Sequence, residues 1–145
     1  MSRVVEWTEE GIRYKPDQTH AEIIAWDLGL DCHTNGTVTN MLGKSEKEEE
    51  GDEGDLKGED ATRYRALMAR GIYLAQDRTD IQFAVTELGR DMSCPSGKGW
   101  RRLKRLGRYL VDKGRYDTWC RYEAWAGKIT VWTETGYAGC GRSRK

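Results

Sequence analysis

The chain has 145 residues, with 24 basic and 24 acidic side chains and a formal net charge of zero. Its mean hydropathy is −0.82, and its longest apolar runs, such as Ile23-Ile24-Ala25-Trp26, fall well short of the roughly 20 residues a bilayer requires, so the length allows one ordinary core and no membrane span. Glu6, Glu9 and Glu10 break any signal-peptide pattern at the N-terminus, and an intracellular protein is expected.

Val4-Val5-Glu6-Trp7-Thr8 and Ile12-Arg13-Tyr14-Lys15 predict two short strands, with Glu9-Glu10-Gly11 supplying the glycine of a hairpin turn. Thr19-His20-Ala21-Glu22 has capping-box spacing, in which a hydroxyl and a carboxylate satisfy free amides at a helix start. The helix that follows places Ala21, Ile24 and Leu28 on one face with Ile23 beside them, and Gly29 suits its C-terminal cap. Residues 43–60 contain one large apolar side chain, Leu56, among nine acidic groups, too little apolar surface to offset the entropy of ordering. They read as an acidic flexible linker.

Asp60 is placed to cap a second helix, whose Tyr64, Leu67, Met68, Gly71 and Ala75 recur at spacings of three and four. Thr79-Asp80-Ile81-Gln82 repeats the capping-box logic for a third, with Ile81, Ala84, Val85, Leu88 and Met92 inward and Cys94-Pro95-Ser96-Gly97 ending it. A fourth helix, from the region of residues 96–99 to about Lys113, sets Trp100, Leu103, Leu106, Gly107 and Leu110 on one side. Arg101, Lys104, Arg105 and Arg108 fall nearly opposite. Period-two patterns at Thr118-Trp119-Cys120-Arg121-Tyr122 and at Lys128-Ile129-Thr130-Val131-Trp132-Thr133-Glu134, around a turn at Gly127, predict a C-terminal strand pair with one exposed edge. The expected fold is therefore α+β, a small bundle of about four helices with a hairpin at its N-terminus and a strand pair at its C-terminus. Its pieces are residues 1–42, the linker 43–60, a helical region 61–114 and the strand pair 115–145.

Charge is segregated along this order. Residues 1–43 carry 3 basic and 7 acidic groups, residues 44–60 carry 3 and 9, and residues 61–121 carry 14 and 6. An acidic front joined to a basic middle points to a polyanionic partner for the middle. The focus of that charge is Arg101, Arg102, Lys104, Arg105 and Arg108, whose guanidinium and ammonium groups are spaced along one helix to meet successive phosphates. Four such contacts predict that log affinity falls with log salt at a slope of about −3.6.

Other chemistry has little support. Cys32, Cys94, Cys120 and Cys140 form no C-x-x-C pair, so reduced thiols are expected, and the Cys32-His33 neighbours lack a second pair to complete a metal site. Phosphate-binding, dinucleotide and hydrolase motifs are missing, and His20 and His33 both lie in the acidic front. The six tryptophans are scattered, and Trp100 sits on the apolar side of its helix, a core position more than a stacking platform.

Several ordered strings share one resemblance: Arg-Tyr-Arg-Ala-Leu from residue 63, Gly-Ile-Tyr-Leu-Ala-Gln-Asp-Arg-Thr-Asp-Ile-Gln-Phe-Ala-Val from 71, Met-Ser-Cys-Pro from 92 and Trp-Arg-Arg-Leu-Lys-Arg-Leu-Gly-Arg-Tyr-Leu from 100. Together they resemble a copia-type retrotransposon Pol polyprotein, in the stretch between the polymerase palm and ribonuclease H. Upstream, Trp7-Thr8-Glu9-Glu10-Gly11-Ile12-Arg13-Tyr14, His20-Ala21-Glu22 and Leu28-Gly29-Leu30 resemble the hairpin and first thumb helix of such a reverse transcriptase. Downstream, Val131-Trp132-Thr133-Glu134-Thr135-Gly136-Tyr137-Ala138-Gly139-Cys140 is similar to the opening strand of the family's ribonuclease H. Arg78-Thr79-Asp80 departs from the family's usual Arg-Pro-Asp.

The resemblance implies that the family's Tyr-Val-Asp-Asp-like polymerase box belongs before residue 1. It also places Glu134 at the first metal-binding Asp of ribonuclease H and Gly136 at a second. Two-metal phosphoryl transfer needs several carboxylates around ions about 4 Å apart. No catalytic residue, no metal and no cofactor are therefore expected of this chain, Glu134 being at most a weak metal ligand and Mg²⁺ belonging to the intact family enzyme. The expectation is a non-catalytic fragment that binds the backbone of a nucleic-acid duplex, hybrid or DNA. Its further partners are the family's palm and ribonuclease H domains. The alternatives are a helical protein-interaction module or an inert retroelement remnant, and an independent nuclease built on Glu134.

Overall fold

The computed structural model describes residues 3–31, 33–37, 54–114, 116–124, 127, 128, 130, 131 and 133. Over these residues the order is β1 (Val4–Trp7), β2 (Gly11–Lys15), α1 (Thr19–Asp27), α2 (Gly58–Ala75), α3 (Gln82–Gly89), a single 3₁₀ turn at Arg90–Met92, α4 (Gly97–Asp112) and β3 (Thr118–Arg121). This is the small α+β architecture that the periodicities predict.

The β1–β2 turn is organised by Thr8, whose hydroxyl donates to the Gly11 carbonyl at 2.9 Å and accepts from the amides of Glu10 and Gly11. Gly11 serves a different purpose from the one its position suggests. It is the first residue of β2, and a Cβ there would lie 2.3 Å from the Cys120 carbonyl oxygen, so its missing side chain lets β3 approach. β3 pairs antiparallel with β2, Gly11 opposite Arg121 and Tyr14 opposite Thr118, which gives a three-stranded sheet in the order β1-β2-β3. The C-terminal strand thus finds its partner in the N-terminal hairpin rather than in the segment after Gly127. Of that second predicted strand, residues 129, 132 and 134 lie outside the described residues, and the described ones form no strand.

Two helix starts differ from the capping-box expectation. The amide of Thr19 is satisfied by the Asp17 carboxylate at 2.9 Å, because Asp17 stands two positions ahead of Thr19 and its short side chain reaches that amide. At α3, Asp80 is engaged elsewhere, and no side chain caps the first turn. The C-terminus of α1 follows its prediction: Gly29 takes φ +68°, and the bonds Leu30 N–H to Ala25 O and Gly29 N–H to Trp26 O form a Schellman cap.

Residues 54–60, which the sequence places at the end of the acidic linker, are bonded into the bundle or helical. Asp55 bridges Ser96, the Leu56 amide donates to the Pro95 carbonyl at 2.7 Å and the Gly97 amide donates to the Gly54 carbonyl. These bonds fasten residues 54–57 to the start of α4, and α2 begins at Gly58, so Asp60 sits inside the first turn instead of capping it. Residues 38–53 lie outside the described residues.

The core is the meeting of four apolar faces: Ala21 and Ile24 from α1 with Leu28 at its C-terminal cap, Tyr64, Leu67 and Met68 from α2, Ala84, Val85 and Leu88 from α3, and Leu103, Leu106 and Leu110 from α4. The Tyr64 hydroxyl donates to the Leu88 carbonyl at 2.9 Å, so its burial strands no polar group. The sheet docks at the far end of α2, where Arg3 and the Tyr14 hydroxyl both bond Asp77, at 2.8 and 2.7 Å. Among the described residues no helix is long and apolar enough to cross a membrane.

Candidate nucleic-acid interface

The helix α4 has a defined start. The Ser96 hydroxyl accepts from the Gly99 amide at 3.2 Å, and the Gly54–Leu56 bonds hold the preceding turn. From there the 3.6-residue repeat fixes the division of faces. Gly99, Leu103, Leu106, Gly107 and Leu110 are buried, while Arg101, Lys104 and Arg108 are exposed. The structure divides the five predicted cations, since Arg102 and Arg105 are half-buried at the flanks. Near Arg105 the chain 33–37 passes, and the Thr37 hydroxyl contacts the Arg105 carbonyl at 3.5 Å.

Three exposed cations at i, i+3 and i+7 cover about 10 Å of helix, a length over which a duplex carries about six phosphate charges. Asp112 closes this row, and its carboxylate pairs with Lys113 at 3.1 Å instead of with the stripe. Between Arg101 and Arg108 the helix itself carries no acidic side chain.

Beneath it lies a feature that sequence reading passed over. Arg78, 1% exposed, is clamped by Asp80 through two parallel bonds of 2.9 and 2.7 Å, and the Tyr109 hydroxyl of α4 donates to the same carboxylate at 3.0 Å. The ring of Tyr116 lies over the guanidinium at 5.1 Å. Burial opposes the charge on Asp80, but the Arg78 and Tyr109 bonds outweigh it and hold the carboxyl below its ordinary range. Tyr109 is pushed up, by burial first and then by donating to Asp80. This cluster ties the α2–α3 turn to α4 and so fixes the helix that carries the stripe. The signal was present in Arg78-Thr79-Asp80, but the spacing alone reads as a cap.

A second feature is an open groove of about 410 Å³ beside the stripe, lined by Leu28, Leu56, Asp60, Arg63, Trp100 and Lys104. Trp100 is half-buried rather than fully in the core: one neighbour is Tyr64, at a ring separation of 6.4 Å, and the Arg63 guanidinium stands over its ring at 5.7 Å. Arg63 also donates to the Asp27 carbonyl at the end of α1. These residues come from four separate segments, so no local motif announces them.

Among the described residues no three His, Cys, Asp or Glu side chains gather where they could hold a metal ion. Cys94 and Cys120 are exposed cysteines. Glu134, Gly136, Cys32, Cys140, Trp125 and Trp132 lie outside the described residues.

Over 52 residues the chain is 41% identical to the retrovirus-related Pol polyprotein from transposon RE2 of Arabidopsis thaliana. That stretch supports an origin in a retrotransposon Pol polyprotein. It covers 36% of this chain and 4% of the length of the transposon protein. No protein-family profile matches the chain, and no solved structure matches it.

Proposed function

We propose that the chain is the thumb and connection part of a copia-type reverse transcriptase, running into the opening of ribonuclease H, and that it works without catalysis as a holder of nucleic-acid duplexes. The observation that carries this reading is the open row of Arg101, Lys104 and Arg108 on α4, opposite a buried apolar face and anchored by the Arg78–Asp80–Tyr109 cluster. Contacts of this kind grip phosphates and leave base sequence unread. Fluorescence anisotropy with two duplexes of unrelated sequence tests it. Both should bind with equal affinity, and replacing Arg101, Lys104 and Arg108 together by Gln should abolish binding to both. Retained binding by the triple variant, or a strong preference between the two duplexes, overturns the reading.

A second reading, a protein-interaction module, is favoured by apolar side chains left in solvent: Trp26 is 83% exposed, Trp7 72% and Phe83 70%. Trp26 also rims a groove that includes Ala21, Ala25, Leu30, Leu110 and Val111. Exposed apolar surface such as that around Trp26 marks contact sites, here for the family's palm and ribonuclease H domains. Light scattering separates the two readings, since apolar association is insensitive to salt and indifferent to added duplex.

A further inference from the structure

We propose that the groove between α1 and the C-terminal end of α4 docks a basic amphipathic helix of a protein partner, an apolar ridge flanked by Lys and Arg. This rests on the protein-interaction reading, whose Trp26 surface it assigns to one class of segment, and it is independent of duplex holding. The composition of α1 gives the first reason. Ala21 and Ile24 are buried in the core, yet Ala25 and Trp26 are apolar as well, and Trp26 is 83% exposed. A helix that is apolar around much of its circumference suits burial on more than one side.

The shape gives the second. Gly107 lets the end of α1 lie close on α4: a Cβ there would stand 2.6 Å from Leu28 Cδ1 and 2.7 Å from Leu30 Cδ1. The Schellman cap folds Leu30 back to Ala25 through its amide. Ala25, Leu30, Leu110 and Val111 therefore line one open concavity of about 340 Å³, with Trp26 at its rim. The furrow between two packed helices accepts side chains of a third at i, i+4 and i+7. At 9 residues, α1 seats about two turns of such a helix.

Charge decides the occupant. Both ionisable side chains of the lining, Glu22 and Asp31, are carboxylates, and both are exposed. Asp31 is held by its own turn, where its carboxylate accepts from the His33 amide at 3.1 Å and the Thr34 hydroxyl at 2.9 Å. Lys113, beside Gly114 at the groove's end, is paired with Asp112. Along one line of α4 the character thus changes from the cation Lys104 to Val111 in an acid-rimmed groove. Such a rim repels phosphates and attracts Lys and Arg, which favours a cationic polypeptide over a continuation of the duplex.

The test is anisotropy with the full chain and dye-labelled helical peptides of about 14 residues, each with Leu at i, i+4 and i+7 and either Lys or Glu at the flanking positions. The Lys peptide should bind about tenfold tighter than the Glu peptide, the worth of two exposed ion pairs. Trp26→Ala, with its fold checked by circular dichroism, should weaken the Lys peptide about thirtyfold, the loss expected of an aromatic anchor. Glu22→Lys should narrow the preference for Lys over Glu. Equal binding of the two peptides through Trp26 refutes the basic partner and leaves the interaction reading standing. Binding that Trp26→Ala leaves unchanged refutes the groove as the site. If neither peptide binds, the inference is refuted, and the interaction reading falls with it only when light scattering also shows no salt-insensitive association. Dimerisation of the peptide-free chain that Trp26→Ala abolishes gives the groove to a second copy, and a loss of blunt-duplex affinity in that variant gives it to nucleic acid; either result overturns the inference.

Discussion

Removing the Asp80 carboxylate puts the largest predicted energy on a single side chain. In the native protein it takes two bonds from Arg78 and one from Tyr109, and Arg78 is 1% exposed. Asp80→Ala leaves a buried guanidinium with the face of Tyr116 over it and no carboxylate from Asp80. Breaking a buried ion pair from one side costs about 3–5 kcal/mol, because the surviving charge stays desolvated. Against a total stability of about 5–15 kcal/mol for a domain, that is a large share. With a urea dependence of about 2 kcal/mol per molar, a loss of about 4 kcal/mol lowers the unfolding midpoint by about 2 M. The assay is urea unfolding followed by circular dichroism and tryptophan fluorescence. Exchanging both partners for apolar groups, Arg78→Met with Asp80→Leu, should recover most of the loss, since neither charge is then buried alone. A midpoint for Asp80→Ala within about 0.5 M of wild type, where about 2 M is expected, refutes the cluster as the fastener of α4, and so does a double variant no better than the single one.

The same carboxylate sets an acid limit. Its native pKa lies below the ordinary 3.8, so its contribution is complete above that value and is lost as the pH falls through the native one; the midpoint of Asp80→Asn should vary less with pH in that range than that of wild type. Tyr64 acts at the opposite end, raised far above 10 by burial first and by Asp91 second. Its contribution is therefore present below pH 10 and is lost as the pH rises toward the native value, and Tyr64→Phe should flatten the alkaline fall in melting temperature. An unchanged alkaline slope in that variant contradicts the assignment. Gly11→Ala drives a Cβ against backbone atoms of Cys120 and Arg121, a clash of the kind that costs about 1–3 kcal/mol. Amide exchange in residues 118–121 should speed up while that of α2 and α4 is unchanged; uniform acceleration would mean that the sheet and the bundle unfold together.

The helices were legible because burial repeats with the helical period. Ile24, Tyr64, Leu67, Ile81, Leu88 and Leu106 all stand where the apolar spacing puts them. Helix starts were less legible, since several short polar residues compete for the same amides: Asp17 displaces the Thr19 box, and Asp80 is drawn away by Arg78. Strand pairing was illegible for a different reason. The pattern at residues 118–121 marks a strand but cannot name its partner, and the one it takes is more than 100 residues away. Of the candidate interface, the helical wheel located the cations, but which of them stay in solvent depends on packing against other elements. The groove at Trp100 depends on that packing throughout.

Three exposed cations on one helix face, Arg101, Lys104 and Arg108, are proposed to hold the duplex. The most direct measurement is the affinity for a blunt duplex across a series of salt concentrations. For three phosphate contacts, log affinity should fall with log salt at a slope of about −2.7, and each single Gln replacement at Arg101, Lys104 or Arg108 should reduce that slope by about one unit. A salt-independent affinity, or a slope that the three replacements leave untouched, would contradict the account.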